Sequence, residues 1–167
     1  MTQDRKQEEI QLVVFKIGNQ EYGLYITELR EIVKPLPITP IPRAPECIEG
    51  VVNLRGTVLA IIDLAKRLDL GRASHSEKTR IIIVEIGEHT VGMIVDEVIE
   101  VLRIPQSNIV STQEIIETNL SHKYITGVGK LEDRLIILIN LNEILTVEEI
   151  EQVQHIKEKA TKAQSSD

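Results

Sequence analysis

The sequence IEGVVNLRGTVLAIIDL, residues 48–64, consists of two β-branched, apolar runs separated by Arg55 and Gly56. Such runs around a two-residue link predict a β-hairpin, because glycine at the second link position takes positive φ angles without steric cost. The pattern occurs again at residues 125–141, ITGVGKLEDRLIILINL, where Glu132 and Asp133 replace the arginine–glycine pair. We therefore expect two equivalent hairpins, with Arg55 exposed at the tip of the first.

A second repeated pattern lies upstream of each hairpin. Residues 22–33, YGLYITELREIV, match residues 91–102, VGMIVDEVIEVL, at an offset of 69, whereas Asp63 and Asn140 in the hairpins are 77 apart. The larger offset predicts about eight extra residues within the second copy. The chain is therefore predicted to contain one small β unit twice.

Composition limits the classes of protein to which the chain can belong. Its 167 residues are 42% hydrophobic but only 2% aromatic, so the core must consist of Ile, Val and Leu, which favour strands. The net charge of −7 and the pI near 5.2 are opposite to those of nucleic-acid-binding domains. No apolar run approaches the ~18 residues of a membrane span, and the polar N-terminus does not resemble a signal peptide. We expect a cytoplasmic protein without direct membrane insertion.

The segments between the hairpins predict few helices. The proline-rich stretch 35–45 predicts an extended crossover packed on a barrel, since neither a helix nor a central strand tolerates that many prolines. Thr146 and Glu149 fit a capping box that begins a C-terminal helix. Strands are predicted at 11–17, 21–26, 79–86 and 90–95, and a turn or 3-10 piece that leads into a strand at 27–34. Further predictions are a short helix at 65–70, a linker or long loop at 71–78 and an inserted segment at 107–123 with a helix start at 111–114.

The sequence lacks the spacings on which catalytic and metal sites depend. Its histidines, His75, His89, His122 and His155, are far apart and none pairs with Cys47 at metal-ligand spacing. The isolated cysteine is typical of a small buried hydrophobe. Carboxylates at Glu28, Glu31, Glu97 and Glu100 favour a solvated face over acid–base pairs, because no feature predicts a dry pocket around them. We expect no catalytic residue, no metal and no cofactor.

The stretch GVVNLRGTVLAIIDL, residues 50–64, resembles the signature of the CheW-like family of bacterial chemotaxis coupling proteins. Its Asn-Leu-Arg-Gly motif at 53–56 is specific, although Ala60 stands where the family commonly has proline. The resemblance covers roughly residues 11–150 in order. Other landmarks similar to those of the family are Glu21-Tyr22-Gly23, Glu31-Ile32, Gly92 and Val95-Asp96.

The resemblance implies a mainly all-β fold of two SH3-like five-stranded β-barrels around a shared apolar seam. Together with the duplication, it predicts a first barrel subdomain at 11–70 and a second at 79–145. A C-terminal helix at 146–160 would follow, with flexible tails at 1–10 and 161–167.

The family's role implies a non-catalytic adaptor that couples the cytoplasmic tip of methyl-accepting chemoreceptors to the histidine kinase CheA, through that kinase's regulatory domain. Such a protein would lie at membrane-associated receptor arrays through its partners. By family position, the receptor-binding residues would be Leu29, Glu31, Arg55, Val98 and Val101, and the kinase-binding residues Val13, Ile26 and Leu29. Core packing for the aliphatic residues and simple solvation for the charged ones are the competing interpretations.

Two other functions remain open at this point. An adaptor or regulatory module of another two-component phosphorelay would share the fold, although the absence of an ATP-binding or phosphoacceptor segment favours a separate adaptor. A small-ligand-binding enzyme on a duplicated barrel belongs to a different class. Detectable turnover or a deep polar pocket would favour the enzyme.

Overall fold

The protein consists mainly of β-strands in the computed structural model, which describes residues 8–111 and 124–165. This confirms the predicted mainly all-β class. The strands are β1 (Glu9–Ile17), β2 (Gln20–Tyr25), β3 (Leu29–Val33), β4 (Ile48–Leu54), β5 (Thr57–Asp63), β6 (Arg80–Ile86), β7 (His89–Val95), β8 (Glu97–Pro105), β9 (Ile109–Ser111), β10 (Ile125–Leu131) and β11 (Arg134–Ile139). The helices are α1 (Leu64–Arg67), α2 (Leu141–Ile144) and α3 (Val147–Ser165), and 3-10 turns lie at Ile26–Glu28 and Gln106–Asn108.

The strands form two sheets, and the opening hairpin of each repeat lies in the sheet formed by the later strands of the other repeat. The order in the six-stranded sheet is β8-β1-β2-β11-β10-β9, and in the five-stranded sheet β3-β6-β7-β5-β4. Each sheet thus combines the opening hairpin of one repeat with the later strands of the other. The contiguous division into barrels at 11–70 and 79–145 therefore needs correction, because the β1–β2 hairpin completes the sheet of the second repeat and β6–β7 that of the first.

The strand register follows the two repeat offsets of the sequence. Gly23 on β2 pairs with Leu138 on parallel β11, and Gly92 on β7 pairs with Ile61 on parallel β5. The two glycines are related by the offset of 69 found for the upstream segments, and Ile61 and Leu138 by the offset of 77 found for the hairpins. The pairing shows that the duplication is structural and that the extra residues of the second copy lie between β8 and β10.

Both central hairpins end in an equivalent helix cap. The side chain of Asp63 accepts a hydrogen bond from the Lys66 backbone N–H at the start of α1, at 3.3 Å. The Asn140 side chain accepts one from the Asn142 backbone N–H at the start of α2, at 3.1 Å. Caps of this kind satisfy backbone donors that lack an intrahelical partner, so each strand turns directly into a short helix.

Among the described residues, the core has three large parts, one shared between the sheets and one associated with each sheet. The shared cluster takes residues from both sheets and from all three helices, including Phe15, Ile62, Met93, Ile139 and Val153. A second cluster is formed by residues of the five-stranded sheet and by Ala73 from the segment before β6 (Val52, Leu59, Ile61, Ala73, Ile81, Ile83 and Ile94). A third lies within the six-stranded sheet (Leu12, Val14, Ile104, Ile136 and Leu138). This is the arrangement of two small barrels joined along an apolar seam.

Several boundaries differ from the sequence-based ones. Strand β1 begins at Glu9, inside the expected flexible tail at 1–10, because its residues pair with β8. Helix α3 continues to Ser165, past the predicted end at residue 160, and α1 ends at Arg67 instead of residue 70. Ser111 belongs to β9, and the rest of the helix start predicted at 111–114 lies outside the described residues.

The proline-rich crossover packs on β4 as expected. Thr39 forms a two-way backbone bridge with Val51, with N–O distances of 2.8 and 2.9 Å. A side chain at Gly50 would meet the Thr39 backbone, so the close approach requires glycine there. The crossover thereby covers part of an edge strand that would otherwise present unpaired backbone groups.

Candidate interaction surface

Four of the five receptor-binding candidates lie on two equivalent edge strands, Leu29 and Glu31 on β3 and Val98 and Val101 on β8, and Arg55 lies in the β4–β5 turn. Leu29 and Val98 occupy the same repeat position, are partly buried and pack against the shared core cluster. Val101 is 50% exposed on β8. Leu29 and Val98 therefore contribute to both packing and surface, whereas Val101 is available for contact.

A β-bulge in each edge strand displaces one residue from the pairing pattern. On β3 the register shifts between Leu29 and Glu31, which leaves Arg30 as the extra residue. On β8 the pairing passes from Glu100 to Val98, which leaves Ile99 at the equivalent position. Because a bulge turns side chains out of strict alternation, Arg30 and Glu31 both face the same groove.

Arg55 and Glu31 form an ion pair between the β4–β5 turn and β3. The Arg55 side chain is 68% exposed, so the pair is accessible to a partner. Gly56 has a φ of 90°, as the hairpin pattern predicted, and Arg55 also has a positive φ, of 51°. The Asn53 side-chain oxygen accepts a hydrogen bond of 2.7 Å from the Gly56 backbone N–H and stabilises this turn.

A groove of about 320 Å³ opens beside this ion pair; we call it the Arg55 groove. Its apolar floor is formed by Leu54, Leu59 and Ile83. Its rim is polar and charged and contains Arg30, Glu31, Arg55, Thr57, Thr90 and Lys157. The arrangement suits an aliphatic side chain of a partner with charged neighbours.

A second ion pair stabilises the same rim. Arg30 pairs with Glu85, whose carboxylate also accepts a hydrogen bond of 3.2 Å from the Thr90 hydroxyl. The hydrogen bond from Arg30 lowers the pKa of Glu85 below its ordinary value. The carboxylate therefore stays charged at neutral pH and holds Arg30 beside the groove.

The six-stranded sheet contains a modified version of this arrangement. Glu100, at the repeat position of Glu31, pairs with Arg134 at 2.8 Å, and Arg134 also contacts Glu21 at 2.7 Å. Arg134 lies at the start of β11, not in the turn, and its side chain is only 32% exposed. Here the ion pairs join strands instead of presenting a cation at a hairpin tip.

Comparisons with known proteins identify the family of the chain. The CheW-like domain model matches residues 11–149. The chain belongs to the CheW-like domain family. It is 35% identical to a chemotaxis protein CheW of Klebsiella aerogenes, over 87% of both chains, and 37% identical to one of Bacillus subtilis, over 82% of this chain and 87% of the other. The crystal structure of the scaffolding protein TtCheW from Thermoanaerobacter tengcongensis superposes with a TM-score of 0.77 and 38% identity, covering 85% of this chain and 96% of that one.

The kinase-binding candidates of this CheW-like chain are not all at the surface. Val13 is fully buried on β1, between β2 and β8, so the free chain does not expose it. Ile26 and Leu29 are partly buried. The three residues also do not belong to one barrel, because the exchanged hairpin puts Val13 in the six-stranded sheet and Leu29 in the five-stranded one.

The sequence did not indicate two charged rim residues, Arg30 and Lys157, or Glu85, which pairs with Arg30. The alternation of a strand would have pointed Arg30 away from Glu31, so only the bulge could reveal it. Glu85 is the single acidic residue of β6, a mostly apolar strand. Lys157 is distant in sequence, and no pattern along the chain indicates where a terminal helix packs.

A polar cluster around Arg67 fastens α3 to the body of this CheW-like chain. Arg67 contacts the Glu149 carboxylate at 2.5 Å and the Cys47 sulfur at 2.7 Å, and donates to the Tyr124 hydroxyl at 3.2 Å. Burial raises the pKa of the Cys47 thiol, although Arg67 opposes this, so Cys47 is a packed thiol as expected. Thr146 and Glu149 form the predicted reciprocal capping box at 2.9 and 3.1 Å.

The described part of the chain contains no group of three or more His, Cys, Asp or Glu side chains arranged to hold a metal ion. Within the same residues, no helix has the length and hydrophobicity needed to cross a membrane. His122 lies outside the described residues.

Proposed function

We propose that this chain is a non-catalytic cytoplasmic adaptor that couples methyl-accepting chemoreceptors to the histidine kinase CheA in bacterial chemotaxis signalling. The observation that carries the proposal is the exposed Arg55–Glu31 pair at the charged rim of a groove with an apolar floor, in a chain of the CheW-like family. Its relatives named chemotaxis protein CheW and the scaffolding protein TtCheW support the same role.

The receptor would bind along the edge strands that carry Leu29, Glu31 and Val98, with Arg55 at the tip of the neighbouring hairpin. An amphipathic helix places aliphatic residues on one face, and these could enter the Arg55 groove. Val101 would extend the surface along β8. Of the kinase-binding candidates, Ile26 and Leu29 are the ones whose partial exposure allows direct contact.

Binding of the purified chain to two separate partners tests the proposal. One partner is a receptor cytoplasmic fragment and the other is the regulatory domain of CheA. Binding to both, and formation of a ternary complex, is the expected result. Binding to a regulatory domain without any receptor binding would support instead a module of another phosphorelay. Turnover of a small substrate, or one tightly held metal ion per chain by elemental analysis, would contradict a non-catalytic adaptor.

A further inference from the structure

Lys157, on the C-terminal helix α3, is one of the residues that line the Arg55 groove. The helix is held on the body by Val153, which is fully buried, and by Ile156, which is 8% exposed and packs with Val51 and Val58. Lys157 follows Ile156 directly, so its backbone position is set by this packing. Its side chain lines the rim together with Arg30 and Arg55.

The cationic side chains that line the groove differ in whether they form ion pairs. Arg55 is paired with Glu31 and Arg30 with Glu85, whereas Lys157 has no ion pair among the described residues. Burial lowers the pKa of Lys157, and the nearby charge of Glu85 opposes this effect. A partly buried ammonium group that makes no close ion pair gains from a binding partner that supplies a carboxylate within contact distance.

The floor beside Lys157 is apolar. Leu59 and Ile83 are buried members of the core cluster of the five-stranded sheet, partly buried Leu54 packs against that cluster, and all three line the groove. A ligand group that fits the groove therefore has an aliphatic part over these residues and a negative charge at the helix side. An acidic residue one helical turn from an aliphatic residue has this geometry.

We infer that Lys157 is a receptor-binding residue, and that the groove takes an aliphatic side chain and a neighbouring carboxylate from the helical tip of the chemoreceptor. The inference rests on the proposed function and adds α3 to a surface otherwise built from β3 and the β4–β5 turn. It also limits the partner to one that is acidic at this position.

The test measures the affinity of the full chain for a receptor cytoplasmic fragment. Lys157→Met keeps the apolar stem and removes the charge, so about tenfold weaker binding is expected, with a larger loss for Lys157→Glu. Lys157→Arg should retain most of the affinity. The weakening should diminish at high salt, because the lost contact is between charges. Lys159→Met and Lys159→Glu are matched controls, since Lys159 is exposed on the same helix and lines a different groove.

Binding of CheA regulatory domain and the melting temperature are measured on the same variants. Receptor affinity of Lys157→Met equal to that of the wild type, while Arg55→Glu binds weakly, would overturn the inference and leave the proposed function standing. A wild-type chain that does not bind the receptor fragment would overturn both. Equal losses from the Lys157 and Lys159 variants would also overturn the inference, because they would indicate a general charge effect.

Discussion

Arg55 and Glu132 occupy the same turn position of the two repeated hairpins, and both have left-handed backbones, with φ angles of 51° and 55°. Arg55 pairs with Glu31 on the neighbouring edge strand, whereas the corresponding cation of the second hairpin, Arg134, has moved into strand β11. The backbone of the turn is therefore common to both copies, and the exposed arginine belongs to one. Because the two turns share a backbone conformation but not the arginine, variants of Arg55 can be compared with a matched variant of Glu132.

Arg55→Ala should weaken receptor binding without unfolding the protein. Loss of a charged interface contact costs about 1–3 kcal/mol where the contact is desolvated and much less at the rim. Arg55→Glu should weaken binding further, because it places a second negative charge beside Glu31. The intramolecular pair is largely exposed, so its loss should change stability by no more than about 1 kcal/mol.

Two further variants distinguish the effect of the turn conformation from the effect of the Arg55 side-chain contact. Arg55→Gly relieves the strain of a left-handed residue and so should melt no lower than the wild type, yet bind the receptor as weakly as Arg55→Ala. Glu132→Ala alters the equivalent turn and should leave receptor affinity unchanged. Affinity for a receptor fragment and the melting temperature are measured for each. Wild-type binding by Arg55→Gly would remove Arg55 from the interaction surface.

Gly92→Ala should destabilise the fold more than Gly23→Ala, although the two glycines are repeat equivalents. A methyl group at Gly92 would lie 2.7 Å from Ile61 Cδ1 and 2.8 Å from Ile81 Cγ2, whereas at Gly23 its nearest neighbour is Ile136 Cγ2 at 3.0 Å. Overpacking of this kind typically costs about 1–3 kcal/mol. Urea unfolding of both variants measures the difference. A larger loss for Gly23→Ala would contradict the packing described between β7, β5 and β6.

The sequence predicted the local elements well because each depends on neighbouring residues. The turn at Arg55 and Gly56 and the capping box of Thr146 and Glu149 are short-range patterns, and the duplication is visible because two stretches of the sequence match. The membership in the CheW-like family follows from the motif at 53–56, and the comparisons confirm it.

The exchange of hairpins could not be predicted, because it depends on which copy a strand meets in space. Gly23 and Gly92 have equivalent surroundings in the sequence, so either could pair with Ile61 or Leu138 by pattern alone. The burial of Val13 follows from this exchange, as β1 becomes an inner strand flanked by β8. Lys157 was missed for a related reason, since helix packing is a long-range property.

Separate expression of residues 1–78 and 79–167 should yield no folded monomer of either fragment. The β1–β2 hairpin would lose its partners β8 and β11, and the β6–β7 hairpin would lose β3 and β5. Large apolar surfaces of Phe15, Leu24 and Met93 would then be exposed to water. Circular dichroism melts and size-exclusion chromatography check the fragments alone and after mixing, when structure should return. A cooperatively melting monomer of residues 1–78 would contradict the exchanged sheets.

Acid should weaken the attachment of α3 through Glu149. Burial raises the pKa of Glu149, but hydrogen bonds from the Thr146 backbone N–H and from Arg67 outweigh it and hold the pKa below its ordinary value. A carboxylate with a lowered folded-state pKa contributes stability that is complete above its unfolded pKa of about 4.3 and is lost as pH falls through the folded value. The fold should therefore lose stability at this site below about pH 4.

The measurement is the urea midpoint at pH 7 and at progressively lower pH, for the wild type, Glu149→Gln and Glu148→Gln. Glu149→Gln should be less stable than the wild type at pH 7 and should lose less stability on acidification, because its side chain has no charge to lose. Glu148 is exposed one residue earlier on the same helix, and its replacement should leave the acid dependence of the wild type intact. Identical acid dependence in all three proteins would show that the Arg67–Glu149 contact does not hold the helix in place.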